Sequence, residues 1–395
     1  MFELEEVEAA TQDEESGATI IKVIGVGGAG GNAVEHMIRE GVGGVEFICC
    51  NTDAQALKKS SAHVKLQLGP GLGAGGKPEK ARDLAQTDRE RIAEVLTGAH
   101  MVFITAGMGG GTGTGAGPVI AEVARELGIL TVAVVTKPFE YEGKRKRLAE
   151  EGVTELAQYV DSLIVILNEK LEEVLGDEVS MLDAFKAADN VLCNAVGGIA
   201  EIINVPGLVN VDFEDVRTVM GEMGKAMMGS AVASGVDRAR IAAEEAVASP
   251  LLEGIELSGA RGVLVNITAS NTLGLKEYKA VMNTIRQYTA AEATVICGAV
   301  FDESMEDQLR VTVVATGLGV VTAKARKPEM KVVETVGLRT GTDNLHTYDI
   351  GVGQVDLSGV ISSNRSMPRN TQAEAMAASG VDKYDIPAFL RRQSD

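Results

Sequence analysis

The sequence predicts an α/β fold of Rossmann type, built on a parallel sheet. Three observations lead there. Short β-branched runs alternate with helical stretches from about residue 18. The runs are apolar without alternation, as strands buried on both faces are. Two of them end in glycine-rich turns, and such sheets bind ligands at the carboxyl ends of their strands.

The strands expected first are "TIIKVIGV", "VEFICCNTD", "MVFITAG", "LTVAVVTKP" and "DSLIVILN", with helical "NAVEHMIREG" and "GPVIAEVARELG" between them. The second of these helices is expected to begin near Pro118. A long central helix follows in 180–207, where Leu182, Phe185, Ala188, Leu192, Val196, Ile199 and Ile203 recur at threes and fours. Ser180 can cap its start, and Pro206 with Gly207 end it. "RGVLVNITA", "ATVICGAVFD" and "LRVTVVATG", with helical "LKEYKAVMNTIRQYTA", predict a second α/β domain within 208–319. Residues 320–380 show little periodicity and one aromatic, Tyr348, so a disordered linker is expected. Apolar residues return at Ile386, Pro387, Phe389 and Leu390, which predicts a partner-docking peptide in 381–395.

Composition narrows the function. The chain has 395 residues, 45% hydrophobic and 24% charged, with no apolar run long enough to span a membrane. The opening "MFELEEVEAATQDEE" has seven carboxylates and no cation, so residues 1–17 read as a disordered acidic arm and not as a signal peptide. A net charge of −19 tells against nucleic acid as a partner. Cys49, Cys50, Cys193 and Cys297 show neither a disulfide framework nor metal-ligand spacing, which fits the cytoplasm. No protein-borne metal site is expected.

"VIGVGGAGGNAV" places Gly25-x-Gly27-x-x-Gly30 between a strand and a helix, and Asp53 ends the next strand. That pattern fits a dinucleotide fold, so a nicotinamide-dependent oxidoreductase is one reading. "GLGAGGKP" mimics a P-loop through Gly71, Gly76 and Lys77, but Pro78 has no hydroxyl to offer magnesium and suits a helix start. "GMGGGTGTGAG" (107–117) decides between these, with glycine at seven of eleven positions and hydroxyls at Thr112 and Thr114. Successive amides in such a loop form an anion-binding concavity. Two glycine loops at neighbouring strand ends can enclose more phosphate than a dinucleotide has, which favours a nucleoside triphosphate.

These residues resemble the tubulin/FtsZ family of cytokinetic GTPases. The likeness rests on "GGGTGTG" (109–115) and extends through "GVGGAGGNAV", "NTDAQAL", "VTKPFEYEG", "NVDFEDVRTVM", "SGARGVLVNI" and "DIPAFLRRQ". It covers roughly residues 18–319 and the tail. It implies a tubulin-like fold: a Rossmann-type parallel-sheet GTPase domain (18–179), a central core helix, a second α/β domain, the linker and the C-terminal peptide. By motif, Gly27, Gly28, Ala29, Gly30 and Asn32 would hold phosphates, together with Gly107, Gly109, Gly110, Gly111, Thr112, Gly113, Thr114 and Gly115. Asn51 and Asp53 would lie beside them, and Glu142 would bind the ribose. Lys146 is the assisting cation by simple count, with Arg145 and Arg147 as alternatives. Asn168 and Asp189 would read guanine, and Phe185 would stack on it. The loop "LQLGPGLGAGG" is several residues shorter than is usual in the family, and Ala81 stands where glycine is common.

The chemistry would come from Asn210, Asp212 and Asp215 in "NVDFEDV". Read alone, these residues make a helix start, with Asp212 as cap and Asp215 favouring the dipole. The resemblance adds that a neighbouring subunit's Asp212 and Asp215 would reach the γ-phosphate of GTP, orienting water or the cation while Mg²⁺ sits chiefly on the phosphates. Head-to-tail contact of this kind does not close and generates a filament. It further implies a division-ring location at mid-cell, and membrane-tether and ring-regulator partners for Asp385–Gln393, without direct membrane insertion. A GTP-binding filament protein that does not hydrolyse is the remaining alternative.

Overall fold

The computed structural model describes residues 19–318, apart from 177–178, 206, 208, 210, 223, 250–258 and 291. The acidic arm, the linker, the tail peptide, Pro206 and Asn210 lie outside the described residues. In the first half the elements are β1 (Ile21–Val26), α1 (Gly27–Arg39), β2 (Val45–Asn51), α2 (Ala54–Lys59), β3 (Val64–Gln67), α3 (Pro78–Thr87), α4 (Arg89–Leu96), β4 (Met101–Gly107) and α5 (Thr112–Glu126). Next come β5 (Leu130–Lys137), α6 (Lys144–Leu156), β6 (Ser162–Leu167), α7 (Asn168–Leu175), α8 (Met181–Asn204) and α9 (Phe213–Met220). The last are β7 (Gly224–Ser234), α10 (Arg238–Val247), β8 (Gly262–Ala269), α11 (Leu275–Tyr288), β9 (Thr294–Phe301) and β10 (Gln308–Leu318).

All ten strands form one sheet, in the order β3-β2-β1-β4-β5-β6-β7-β10-β8-β9. From β3 to β7 every pairing is parallel, which requires the helical crossovers that the alternating sequence supplies. β10 runs antiparallel to both β7 and β8. β6 and β7 pair at only three positions, from Ser162↔Gly224 to Ile164↔Ala226.

Alternate side chains of each strand feed two cores. Ile21, Val23, Met101 and Phe103 pack with α1, α8 and α9 on one face. Ile24, Val26, Val102 and Ile104 pack with α3, α4, α5 and α6 on the other. α10 and α11 cover the far end of the sheet. The Rossmann-type parallel sheet is as expected. β3 and β7 were not; β7 reads "GKAMMGSAVAS", too poor in β-branched residues to announce a strand.

α8 begins as expected, with Ser180 Oγ accepting the Asp183 N–H (3.2 Å). Its 24 residues make it about 36 Å long. Its apolar stripe is not all core, however: Leu182 and Phe185 are 64% and 46% exposed, and burial starts at Ala188. Exposure leaves Phe185 free to meet a base, as the family resemblance implies, while Leu182 is exposed despite its place in the apolar stripe. α5 also departs from expectation. It starts at Thr112, and Pro118 stands inside it. A proline with no N–H to give could mark a helix start, but the bare glycines ahead of it were already coiled.

Candidate active site

Both glycine runs are helix beginnings. α1 starts at Gly27 directly after β1, and α5 starts at Thr112, five residues past the end of β4. β1 and β4 are paired neighbours, ending together at Val26↔Ala106. Neither helix has a side chain capping its N-terminus. Their first-turn amides therefore keep hydrogen-bonding capacity and partial positive charge for an anion.

The two starts converge. A Cβ on Gly27 would stand 3.0 Å from the Gly113 nitrogen, and Gly27 itself has φ +79°, a conformation in which a side chain is strained. Ala29 closes on Gly107, where an added Cβ would meet its methyl at 2.6 Å. The Thr52 and Thr112 hydroxyls lie 2.7 Å apart, and Gly109 N–H donates to Thr114 Oγ1 (2.9 Å). Gly111 rests against Ala74, Gly76 and Lys77, so the P-loop mimic borders the cradle while Pro78 opens α3, as its sequence suggested. Gly30 and Gly115 let helices approach backbone: a Cβ on Gly30 would sit 2.3 Å from Thr105 O, and one on Gly115 2.0 Å from Pro78 O. Gly28 and Gly110 face open space. Gly28, Asn32, Asn51 and Cys49 line a cavity of about 240 Å³ beside α1.

The neighbouring strand ends carry a second group. Asn168, just past β6, is buried, and its Oδ1 has no hydrogen-bond partner. A buried acceptor left unpaired is costly, so a donor is called for there. Asp189, half-buried on α8, has its carboxyl pushed up to about 6 by burial, against the pull of His36 and Arg39. Phe185 meets Phe139 edge-on, with centroids 5.9 Å apart, and Phe139 stacks on Tyr141 at 5.3 Å.

Other expected residues have local partners. Glu142 accepts from Phe139 N–H (3.1 Å) and from Arg145 (2.7 Å). Lys146 turns to Glu140 (3.0 Å), and Arg147 to Glu151 (3.6 Å). Arg145 lies closest to the cradle: its backbone carbonyl and Cβ stand against Gly109. Asn51 Oδ1 accepts the Asp53 N–H, and Asp53 caps α2 through Gln55 N–H (2.8 Å).

Asp212 and Asp215 lie elsewhere. Asp212 caps α9, accepting Asp215 N–H at 2.8 Å, and both side chains are exposed. Phe213, the next residue, packs on His100, which immediately precedes β4. The aspartates are thus at the amino end of the strand whose carboxyl end leads to the cradle. Seven residues of β4 separate the two places, about 20 Å. Among the described residues, no group of three or more His, Cys, Asp or Glu side chains is arranged to hold a metal ion.

Comparison with known proteins identifies the family. Residues 20–176 match the family model described as Tubulin/FtsZ family, GTPase domain, and residues 224–319 match FtsZ family, C-terminal domain. The chain is 54% identical over 404 residues to the Cell division protein FtsZ of Pseudomonas aeruginosa, covering all of both. The chain belongs to the tubulin/FtsZ family. Its likeness to the Coxiella burnetii Cell division protein FtsZ is 54% over 377 residues, 94% of this chain and 96% of the other. Among solved structures, an empty FtsZ dimer from M. jannaschii superposes with a TM-score of 0.74 at 42% identity, covering 78% of this chain and 90% of that one.

As a tubulin/FtsZ protein the chain binds guanine nucleotide and is a self-associating GTPase of cell division. The nicotinamide and non-hydrolysing alternatives fall with that assignment. The site also holds residues that the sequence reading passed over: Thr52, Ala74, Phe139 and Tyr141. All four lie in quoted stretches, "NTDAQAL", "GLGAGGKP" and "VTKPFEYEG", and a hydroxyl or ring next to a singled-out residue was the available signal.

Proposed function

We propose that GTP is held by the cradle of one subunit and hydrolysed with the help of Asp212 and Asp215 from the next, so that catalysis and filament growth are one event. The observation supporting this is the separation of the two groups to opposite ends of β4, too far apart for one chain to bring both to a phosphate. A contact that joins one end of a subunit to the opposite end of another repeats without closing.

In this reading the uncapped starts of α1 and α5 take the phosphates, with Arg145 beside them. Asn168 Oδ1 and the Asp189 carboxylate accept from the N1–H and N2–H of guanine, whose donor edge adenine does not have. Phe185 lies against the base, and Glu142 reaches the ribose. The arriving Asp212 and Asp215 orient the attacking water, while Asn210 helps to hold their loop. Mg²⁺ would be carried chiefly by the phosphates and would spread their charge; the Thr52 and Thr112 hydroxyls are oxygen donors of the kind it favours. The peptide Asp385–Gln393 binds membrane tethers and ring regulators, which gather the filament at the mid-cell division ring in the cytoplasm. Many weak sites along one polymer would make that attachment firm.

The test is phosphate release and light scattering measured together across protein concentrations, with GTP and Mg²⁺ in excess. Turnover per molecule rises from near zero once scattering appears. A constant rate in protein too dilute to scatter would refute the proposal.

A further inference from the structure

α9 lies between the halves: its Val216, Val219 and Met220 are buried in the core that β1 and β4 also feed. It packs against β8 and β9, and Thr316 of β10 donates its hydroxyl to Val219 O at its end (2.7 Å). Among the described residues, its ring contact with the first half is made by Phe213, which directly follows the capping Asp212. The His100 ring meets Phe213 edge-on, with centroids 6.1 Å apart and planes at 70°. Phe213 also carries the Arg217 guanidinium over its ring, 5.0 Å from the centre.

His100 is itself fixed. Its backbone N–H donates to Ile20 O (2.9 Å), and Leu130 N–H donates to its carbonyl (3.1 Å), tying it to the starts of β1 and β5. Ile20 N–H donates to His100 Nδ1 (3.0 Å), so this bond assigns the ring proton to Nε2 and sets the ring's orientation. A ring anchored at the amino ends of the central strands β1, β4 and β5 thus meets the residue next to Asp212.

We infer that His100 is a positioning residue for hydrolysis: its anchored ring, through Phe213, sets where Asp212 stands relative to the GTPase half of the same subunit. The inference rests on the proposed role of Asp212. A carboxylate that must meet a phosphate across a subunit boundary is sensitive to displacement of about 1 Å, which can cost up to about a hundredfold in rate. His100 stands at the opposite end of β4 from the cradle, so it acts through Phe213 and not on the nucleotide.

The test compares His100→Ala, His100→Asn and Phe213→Leu, with Asp212→Ala as control, reading GTP affinity, assembly threshold and turnover well above that threshold. Turnover in His100→Ala is expected to fall about tenfold, with affinity and threshold within about twofold of the unaltered protein. His100→Asn, which keeps an acceptor for Ile20 N–H but has no ring, is expected to be as slow. In the Phe213→Leu background, His100→Ala is expected to cost little more, because the two act as one unit. Full turnover in His100→Ala or His100→Asn overturns the inference, as does a second full tenfold loss in the double variant. So does a loss that follows affinity or threshold. If Asp212→Ala hydrolyses normally, it is the parent reading that fails.

Discussion

Asp189 offers a quantitative handle on base recognition. Its carboxyl is pushed up to about 6 by burial, against the pull of His36 and Arg39. Guanine presents donors to this position, so the ionised carboxylate is the binding-competent form. With only that form competent, the apparent dissociation constant is the intrinsic one divided by the ionised fraction. For a group titrating at about 6, affinity for GTP therefore weakens about twofold from pH 7.5 to pH 6, and about tenfold by pH 5. The sign for stability is the opposite. A raised carboxyl binds its proton more tightly in the folded chain, so the empty protein gains stability as pH falls from about 6 towards the ordinary 3.8. Calorimetric titration with GTP below the assembly threshold, at pH 7.5, 6 and 5, measures the first effect, and urea melts measure the second. Asp189→Asn flattens both. Affinity constant within twofold over that range, or an Asn variant with an unchanged slope, would refute the assignment of Asp189 to guanine.

Three further outcomes are expected. Asp212→Ala keeps GTP affinity, suppresses hydrolysis and leaves long-lived polymers in a scattering assay, and loss of the α9 cap lowers stability by about 0.5–2 kcal/mol in urea. Gly27→Ala must hold a side chain at φ +79° with its Cβ 3.0 Å from the Gly113 nitrogen; it loses about 1–2 kcal/mol of stability and at least about tenfold in GTP affinity. Removing residues 381–395 abolishes recruitment to tether-bearing vesicles and spares GTP turnover, and loss of both activities would contradict a separate docking peptide.

Much of this was readable from residue patterns. The strands that end at the cradle are continuous Val and Ile runs, and burial on both faces of a parallel sheet demands such runs. β7 was not readable because its Gly, Ala and Ser residues are held in place by β10, a partner far away in sequence. The start of α5 was misplaced for a related reason. Glycine disfavours helix in isolation, yet here the close approach of Gly113 and Gly115 to neighbouring backbone admits nothing larger. The exposed Leu182 and Phe185 fit the periodicity of a core helix perfectly well, and periodicity carries no information about which turns are covered. Asp212 and Asp215 look like a helix cap, and they are one; a role in catalysis needs a second subunit, which no single chain's pattern displays.

The division of the active site is tested most directly by mixing two impaired proteins, at a GTP concentration too low for Gly27→Ala to bind. Asp212→Ala keeps its cradle, and Gly27→Ala keeps its aspartates. Where the first binds GTP and the second docks on it, a complete site forms. Phosphate release from the mixture is predicted to exceed the sum of the separate rates severalfold; a mixture no faster than that sum would contradict the account.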